Sequence, residues 1–459
     1  MEKCMLSLII ASLLCLLILS IYQELVVAAA GNNAKRKLIK PLAATSTGNV
    51  FTCVIISTRP YHFDVSAFLS FHMQHLGFST EIWLRSSFIR DDTDGAYSLF
   101  KSLNSSVIRD VGDGDPGKKN PALTFPAQIK VLMISTADGD SDIVFLCKIG
   151  VFERLYAKAE SVIFVVHNAQ NIPIVAKYCM KPKCTMLVLA NHVLRAASYH
   201  LQTSNYSNTA SVLAVPTRIY NLPVAYFRVH YPHPVSLSTA MADSHSIRQV
   251  AIQGTLIVQR RNYDSFFRCL TEIQQRGRQF KVNILGWRSP RQPELKVPAH
   301  LAPFISVHEN LKFHDYFPII SQSDLLVTFS NSSYLYYSDR GTSSVPTGLN
   351  CGVGLVMPAT MLDLYPCLRH QIYHKQISKE NDCESLKEAM ELSDLELDKL
   401  KKEIGRCRKD MMRGAREVLN LIAHRSNSAY SIITFDKCPE ASLELRTRPI
   451  KGTIINTKE

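Results

Sequence analysis

"TSSVPTGLNCGVGLVMP", residues 342–358, carries no charged side chain and ends in an apolar run. "TGLNCG" has the small, mixed character of a helix start, and "VGLVMP" that of a short buried strand. Two readings of the stretch stand side by side. As core, Gly348 and Gly352 let a helix pack tightly on a sheet. As a binding segment, backbone N–H groups at the helix start meet an anion, with the hydroxyls of Ser343, Ser344 and Thr347 as further donors. We read the passage as backbone that faces a ligand.

The same strand–helix punctuation extends upstream. "RQVAIQGTLI" (248–257), "FKVNILGW" (280–287) and "DLLVTFS" (324–330) are short apolar runs of strand type. "YDSFFRCLTEIQQRG" (263–277) and "FHDYFPIISQS" (313–323) alternate with them at helical spacing. The first half repeats the pattern. "VFTCVIIST" (50–58), "TEIWLRS" (80–86), "SDIVFLCKIG" (141–150), "SVIFVVHN" (161–168) and "CTMLVLAN" (184–191) read as strands. "DVSAFLSFHMQHLGF" (64–78), "VFERLYAKA" (151–159) and "HVLRAASYHL" (192–201) read as helices between them. Alternation of this kind predicts parallel sheets with helices on both faces.

Between them the pattern lapses, and "RIYNLPVAYFRVHYPHPVSLSTAMADSHS" holds three prolines and no helical period. The expected organisation is a Rossmann-like domain over 48–220, a linker over 221–248 and a second Rossmann-like domain over 249–375. Charged, proline-free helices follow over 376–426, then a tail over 427–459. Open α/β sheets bind ligands beyond the carboxyl ends of their strands, so the expected site is the cleft between the two domains.

Composition narrows the partners. The 459 residues are 46% hydrophobic and 20% charged, with 52 Lys and Arg against 39 Asp and Glu, a net +13. A basic balance favours a phosphate-bearing ligand, an anionic membrane surface or nucleic acid. The charges form no stripe and no nucleic-acid signature appears, so nucleic acid is the weakest of the three. No CxxC or zinc spacing occurs among the cysteines, and disulfides suit an oxidising compartment without revealing their pairing.

The N-terminus, "MEKCMLSLIIASLLCLLILSIY", is one lysine followed by an apolar run, with Ala28–Ala30 offering a small-residue cleavage site. Residues 1–30 therefore read as a secretory signal peptide or as an uncleaved single-pass type II anchor, with a stem over 31–47. Either delivers the body to the lumen of the endoplasmic reticulum and Golgi, or outside the cell. The acceptor tripeptides at Asn104, Asn205 and Asn331 agree with that location.

The second half, through "IQGTLIVQRRNYDSFF", "VNILGW", "DYFPIISQSDLLVTF" and the opening stretch in that order, resembles the C-terminal domain of GT-B glycosyltransferases, in particular the retaining, nucleotide-sugar-dependent group 1 (family 4-like) branch. The likeness covers about residues 250–360; the first half agrees by topology. It implies transfer of a sugar from a nucleotide-sugar donor to a glycan, protein or lipid acceptor, with no separate cofactor and no metal. Gly254 would bring backbone close to the donor. Thr255 stands where the family commonly has a basic residue, and Arg260 and Arg261 would meet the diphosphate with bidentate geometry. Two glutamates with seven residues between them are usual near the helix start; here Asp339 and Thr347 hold those positions, so one carboxylate is missing. His167 at a strand end would contact the donor sugar, with Asn168 as a second hydroxyl contact. Arg288 reads as a surface residue.

Three rivals remain. Asp113 with Asp115, or Asp138, Asp140 and Asp142, offer oxygen ligands for a hard cation. A non-catalytic two-lobed protein closing on a sugar or nucleotide accounts for the domain pair. A glycosyltransferase descendant without activity accounts for Thr347. The lumenal reading predicts that an N-glycosidase increases the gel mobility of the chain made in a eukaryotic host; unchanged mobility removes its main support.

Overall fold

A computed structural model describes residues 51–59, 62–102, 106–114, 123–137, 140–176, 178–179, 183–203, 218–221, 247–257, 260–290, 292–331, 338–357, 368 and 382–423. The leader, Asn104, Asn205, Asp115, Asp138, most of the linker and the tail lie outside them. So do the side chains of Asp140 and Asp142.

Seven strands form the first sheet: β1 (Thr52–Ser57), β2 (Ser79–Leu84), β3 (Ser106–Asp110), β4 (Ile129–Ile134), β5 (Ala159–Val166), β6 (Cys184–Val188) and β7 (Arg218–Asn221). Their order is β3-β2-β1-β4-β5-β6-β7, and every pair is parallel. The second sheet has β8 (Arg248–Gln253), β9 (Phe280–Gly286), β10 (Ile305–Glu309), β11 (Leu325–Val327) and β12 (Gly354–Val356), ordered β10-β9-β8-β11-β12 and again all parallel. Both sheets reverse direction of growth beside their first strand, at β1/β4 and at β8/β11. This is the doubly wound arrangement, and each reversal opens a crevice at the strands' carboxyl ends.

In chain order the helices are α1 (Phe63–His75), α2 (Ser86–Arg90), α3 (Ala96–Ser102), α4 (Asp140–Lys148), α5 (Phe152–Lys158), α6 (Ile172–Ala176) and α7 (Asn191–Thr203). The second sheet carries α8 (Tyr263–Gln275), α9 (Phe313–Ser321), α10 (Ser344–Cys351), α11 (Asp382–Met390) and α12 (Asp394–Ala423). One sequence reading is corrected here: "SDIVFLCKIG" is helix α4, not a strand. Its buried residues Ile143 and Leu146 are three apart, a helical spacing hidden in an apolar run too short to distinguish the two states. The strand that belongs beside β1 is "IKVLMI" of β4.

Strand side chains alternate between two buried faces, which is why the strands read as continuous apolar runs. On one face Cys53, Ile55, Val131, Met133, Ile163 and Val165 pack with Val65, Phe68 and Met73 of α1. The same cluster takes Ala415, Leu419 and Ile422 from the end of α12. The start of α12 packs elsewhere: Leu397, Leu400, Ile404 and Cys407 join the core around the second sheet. One amphipathic helix thus seals both sheets. Arg248 at the start of β8 fixes the corner before it, pairing with Asp394 at 2.7 Å and donating to the Leu392 carbonyl. A disulfide, Cys269–Cys383, ties α8 to α11, and Cys179–Cys184 closes the turn into β6. Among the described residues no helix is long and apolar enough to cross a membrane.

His72 on α1 is fully buried, and neither ring nitrogen has a hydrogen-bond partner among the described residues. Burial first, then the charges of Arg416 and His75, lower its pKa to about 3. The unfolded chain takes up this proton near pH 6.5, so His72 contributes stability above that pH that is lost as pH falls from 6.5 toward 3. Melting temperatures at pH 7.5 and pH 5 should therefore differ more in the wild type than in His72→Leu; equal differences would show that another group governs acid lability.

Candidate functional site

The two crevices are built from different chemistry. At β1/β4 a hydroxyl cluster fixes the strand ends: Ser66 on α1 donates to Ser135 at 2.7 Å and is hydrogen-bonded to Ser57 at 3.1 Å, and Ser135 donates to the Ile56 carbonyl at 2.9 Å. His167, immediately after β5, lies on this cluster. Its Nε2 donates to the Ser135 carbonyl at 3.0 Å, because a carbonyl only accepts. The ring of His62 stacks on it, centroids 3.7 Å apart and planes 24° from parallel. His62 precedes α1 with φ at 64°, a left-handed backbone uncommon for a residue with a Cβ. Desolvation, then electrostatic interaction with His167, Arg340 and Arg260, holds its pKa well below the ordinary imidazole value. A neutral ring therefore sits among cations.

At β8/β11 the centre is Arg261. Its side chain is 2% exposed. It donates to the Gln253 carbonyl at 2.8 Å, to Ser330 Oγ at 2.7 Å and to Ser344 Oγ at 3.2 Å, joining β8, the segment after β11 and α10. Gly254, with φ at 133°, is required here, since a Cβ would lie 2.8 Å from the Arg261 guanidinium. Phe329 beside it also has positive φ, 38°, an outlier for a bulky residue, and its ring packs on Phe266 at 4.9 Å. Arg260 points differently: it donates to Thr255 Oγ1 at 3.0 Å. The cation absent at position 255 is thus brought back to it from five residues downstream.

The residues around the quoted stretch divide in the same way. Ser343 is exposed, whereas Ser344, Thr347 and Gly348 are buried. Ser344 and Ser343 accept from Gln253 Nε2 at 3.1 and 3.3 Å. Tyr316 donates to Gln253 Oε1 at 2.6 Å and is hydrogen-bonded to Thr347. Helix α10 begins at Ser344, so Thr347 and Gly348 lie within it; a Cβ on Gly348 would strike Leu355 at 2.4 Å. The close packing of helix on sheet is therefore real, and only the edge around Ser343 faces outward.

Residues 339–340 bring the two sheets together. Asn168 and Arg340 form an antiparallel bridge, Ala169 N donates to the Asp339 carbonyl at 2.8 Å, and His192 Nε2 donates to the Arg340 carbonyl at 2.9 Å. The Asp339 carboxylate accepts from His200 on α7 at 2.6 Å and from Ser338 at 2.6 Å. Burial opposes its ionisation, but these donors and the charges of His200 and Arg340 keep its pKa below the usual value. The Asn168 side chain accepts from Gln170 N at 3.2 Å and so caps the short turn after it. Asp113 accepts from Ser87 N and Oγ at 3.0 and 2.6 Å. Among the described residues no three His, Cys, Asp or Glu side chains converge as metal ligands.

His62, Arg340, Gln253 and Tyr316 were missed in the sequence. His62 had a signal, since it follows β1, where a doubly wound sheet opens its crevice. Arg340 had none, because its place depends on a loop reaching across to the other sheet.

No protein-family model matches this sequence, and no curated protein matches it. In shape the chain is similar to a glycosyltransferase from Rickettsia africae ESF-5, at 10% identity and TM-score 0.50, over 83% of this chain and 100% of that one. It is similar to an alpha-glucosyltransferase in complex with UDP-glucose and DNA containing an abasic site, at 11% identity and TM-score 0.52, over 82% and 100%. An alpha-glucosyltransferase in complex with UDP and a 13-mer DNA containing an HMU base matches at 12% identity and TM-score 0.52, also over 82% and 100%. These likenesses are of fold. The chain has the GT-B fold, two Rossmann-like sheets with a helical C-terminal segment.

The unlike settings of the two arginines predict unlike variants. Arg261→Ala removes the donor to Ser330 Oγ and the Gln253 carbonyl and one of two donors to Ser344 Oγ, and should destabilise the protein by about 1–3 kcal/mol. Arg260→Ala, which removes a half-buried side chain with its hydrogen bond to Thr255, should cost less, about 1 kcal/mol. Chemical denaturation of both checks this; equal midpoints would mean that the Arg261 network is not what holds the crevice.

Proposed function

We propose that the protein is a glycosyltransferase that takes its sugar from a nucleotide-sugar donor. The observation that carries this reading is the meeting of Arg260, Arg340, His62 and His167 where the crevices of a GT-B pair adjoin. A leaving nucleotide diphosphate gains negative charge as the glycosidic bond breaks, and fixed cations in a dehydrated cleft stabilise that charge more in the transition state than in the bound donor. In this reading Arg260, presented by Thr255, and Arg340 meet the diphosphate. The exposed hydroxyl of Ser343 adds a donor, and Gly254 lets backbone approach. Arg261, Ser344, Thr347 and Gly348 act one layer below by holding these groups in place. Asp339 acts likewise, locking the loop that carries Arg340. The neutral His62 ring, backed by His167, is the group that exchanges a proton with the acceptor hydroxyl.

The fold neighbours include an alpha-glucosyltransferase in complex with UDP-glucose, which supports a donor of that class. The cations take the part that a metal plays in other transferases. The acceptor is a glycan, protein or lipid. The disulfides at Cys179–Cys184 and Cys269–Cys383 support the secretory lumen, since such bonds persist in oxidising compartments.

Turnover, followed as nucleotide release, tests the assignment. Arg260→Ala should lower it on the order of 10²-fold, as loss of one oxyanion donor does, and Arg260→Lys should recover only part. A strong chelator should leave wild-type turnover in place. His62 resists protonation, so its acid limb should fall below pH 6.5 and vanish in His62→Ala. Wild-type turnover by Arg260→Ala would place the phosphate site elsewhere.

A further inference from the structure

We propose that Tyr316 is a positioning residue: through Gln253 it turns the Ser343 hydroxyl hydrogen outward, toward the diphosphate; this rests on the donor reading above, in which Ser343 meets that group. Gln253 ends β8 at the carboxyl edge of the second sheet and is 4% exposed. Its side-chain amide lies between Tyr316 of α9 and the pair Ser343 and Ser344 at the start of α10. Of these four, Ser343 alone is exposed. A serine hydroxyl at that place can donate inward or outward. The amide beneath it decides which.

The distances assign the two ends of the amide. Hydrogen bonds from an O–H run about 2.5–3.0 Å and those from an N–H about 2.7–3.2 Å. The contact with Tyr316 is 2.6 Å, short enough only for its O–H donating to Oε1. The contacts with Ser344 and Ser343 are 3.1 and 3.3 Å, beyond the O–H range and suited to Nε2–H. Tyr316 has one hydrogen and gives it to Gln253, so in its bond with Thr347 the threonine donates. Burial, the largest influence, pushes the Tyr316 pKa up, and the O–H is kept. Donation thus runs one way, from Thr347 to Tyr316, to Gln253 and on to Ser343. Ser344 accepts from both Gln253 and Arg261. Ser343 accepts one N–H, and among the described residues nothing accepts its own hydrogen. That hydrogen is left for an anion in the crevice. The threonine at 347 sets this sense. A carboxylate there would take the Tyr316 hydrogen, the amide would turn over, and Ser343 would donate inward.

A double-mutant cycle on the full chain separates orientation from structure. Binding of UDP, GDP and ADP is measured by calorimetry, and the tightest of the three is carried through the variants. Ser343→Ala should weaken it on the order of tenfold, as loss of one hydrogen bond to a charged group does. Tyr316→Phe should weaken it severalfold in the wild-type background and leave it unchanged in the Ser343→Ala background. Gln253→Met, which removes the orienting N–H itself, should show the same dependence on Ser343 and serves if Tyr316→Phe does not fold. Equal losses in both backgrounds would make Tyr316 a structural residue and overturn the assignment. So would wild-type affinity in Ser343→Ala; weaker binding by Arg260→Ala would then still uphold the donor reading. If wild type binds none of the three nucleotides, the donor reading itself fails and takes this inference with it.

Discussion

Arg261 holds three pieces of chain at the carboxyl edge of the second sheet, and each piece continues into the cleft. The Gln253 carbonyl leads into Gly254 and Thr255, Ser330 follows β11, and Ser344 opens α10. A buried guanidinium is costly to desolvate and is tolerated only with its donors satisfied. Here that requirement dictates a glycine at 254 and hydroxyls at 330 and 344. The neighbouring Arg260 is half-buried and bonds to Thr255 instead. Two adjacent arginines thus divide into one that builds the site and one that meets what binds there.

The cleft is positive because of how its acids are used, not because acids are few. Asp339 is drawn away to His200 and Ser338, and Asp324 is held by Lys401 and by Gln249 N at the opposite end of β8. The cations Arg260 and Arg340 remain where the crevices adjoin. His62 responds to them by staying uncharged, and its stacking on His167 opposes two positive rings at 3.7 Å. An anion entering this space lowers the field around His62. Binding and protonation at that ring are therefore coupled.

The fold was legible because strands buried on both faces read as unbroken apolar runs. The doubly wound class followed from their alternation with helices at "DVSAFLSFHMQH" and "YDSFFRCLTEIQQ". The same logic failed at "SDIVFLCKIG", where a helix packed on one side offered an apolar run of strand length. It passed over "SVIRD", "RIYN" and "ISVHE", edge or near-edge strands whose mixed polarity suits half-covered positions. The site was legible where chemistry sits at a strand end, as with His167 and the glycine at 254. It was illegible where a residue acts through tertiary neighbours. Nothing local distinguishes Arg260 from Arg261, and Thr347 looked like a missing acid when its hydroxyl belongs to the Tyr316–Gln253 network.

Helix α12 has a consequence for how the chain matures. Phe68 and Met73 near the beginning of the described residues share a core with Leu419 and Ile422 near their end. A ribosome adding about 5–20 residues per second needs roughly 20–70 s to supply the later partners. Once β7 is made, the face of the first sheet that carries α1 still lacks the part of its cover that Ala415, Leu419 and Ile422 supply. Completion of the first domain's core therefore waits for the C-terminal helix, the last of the described elements to be made.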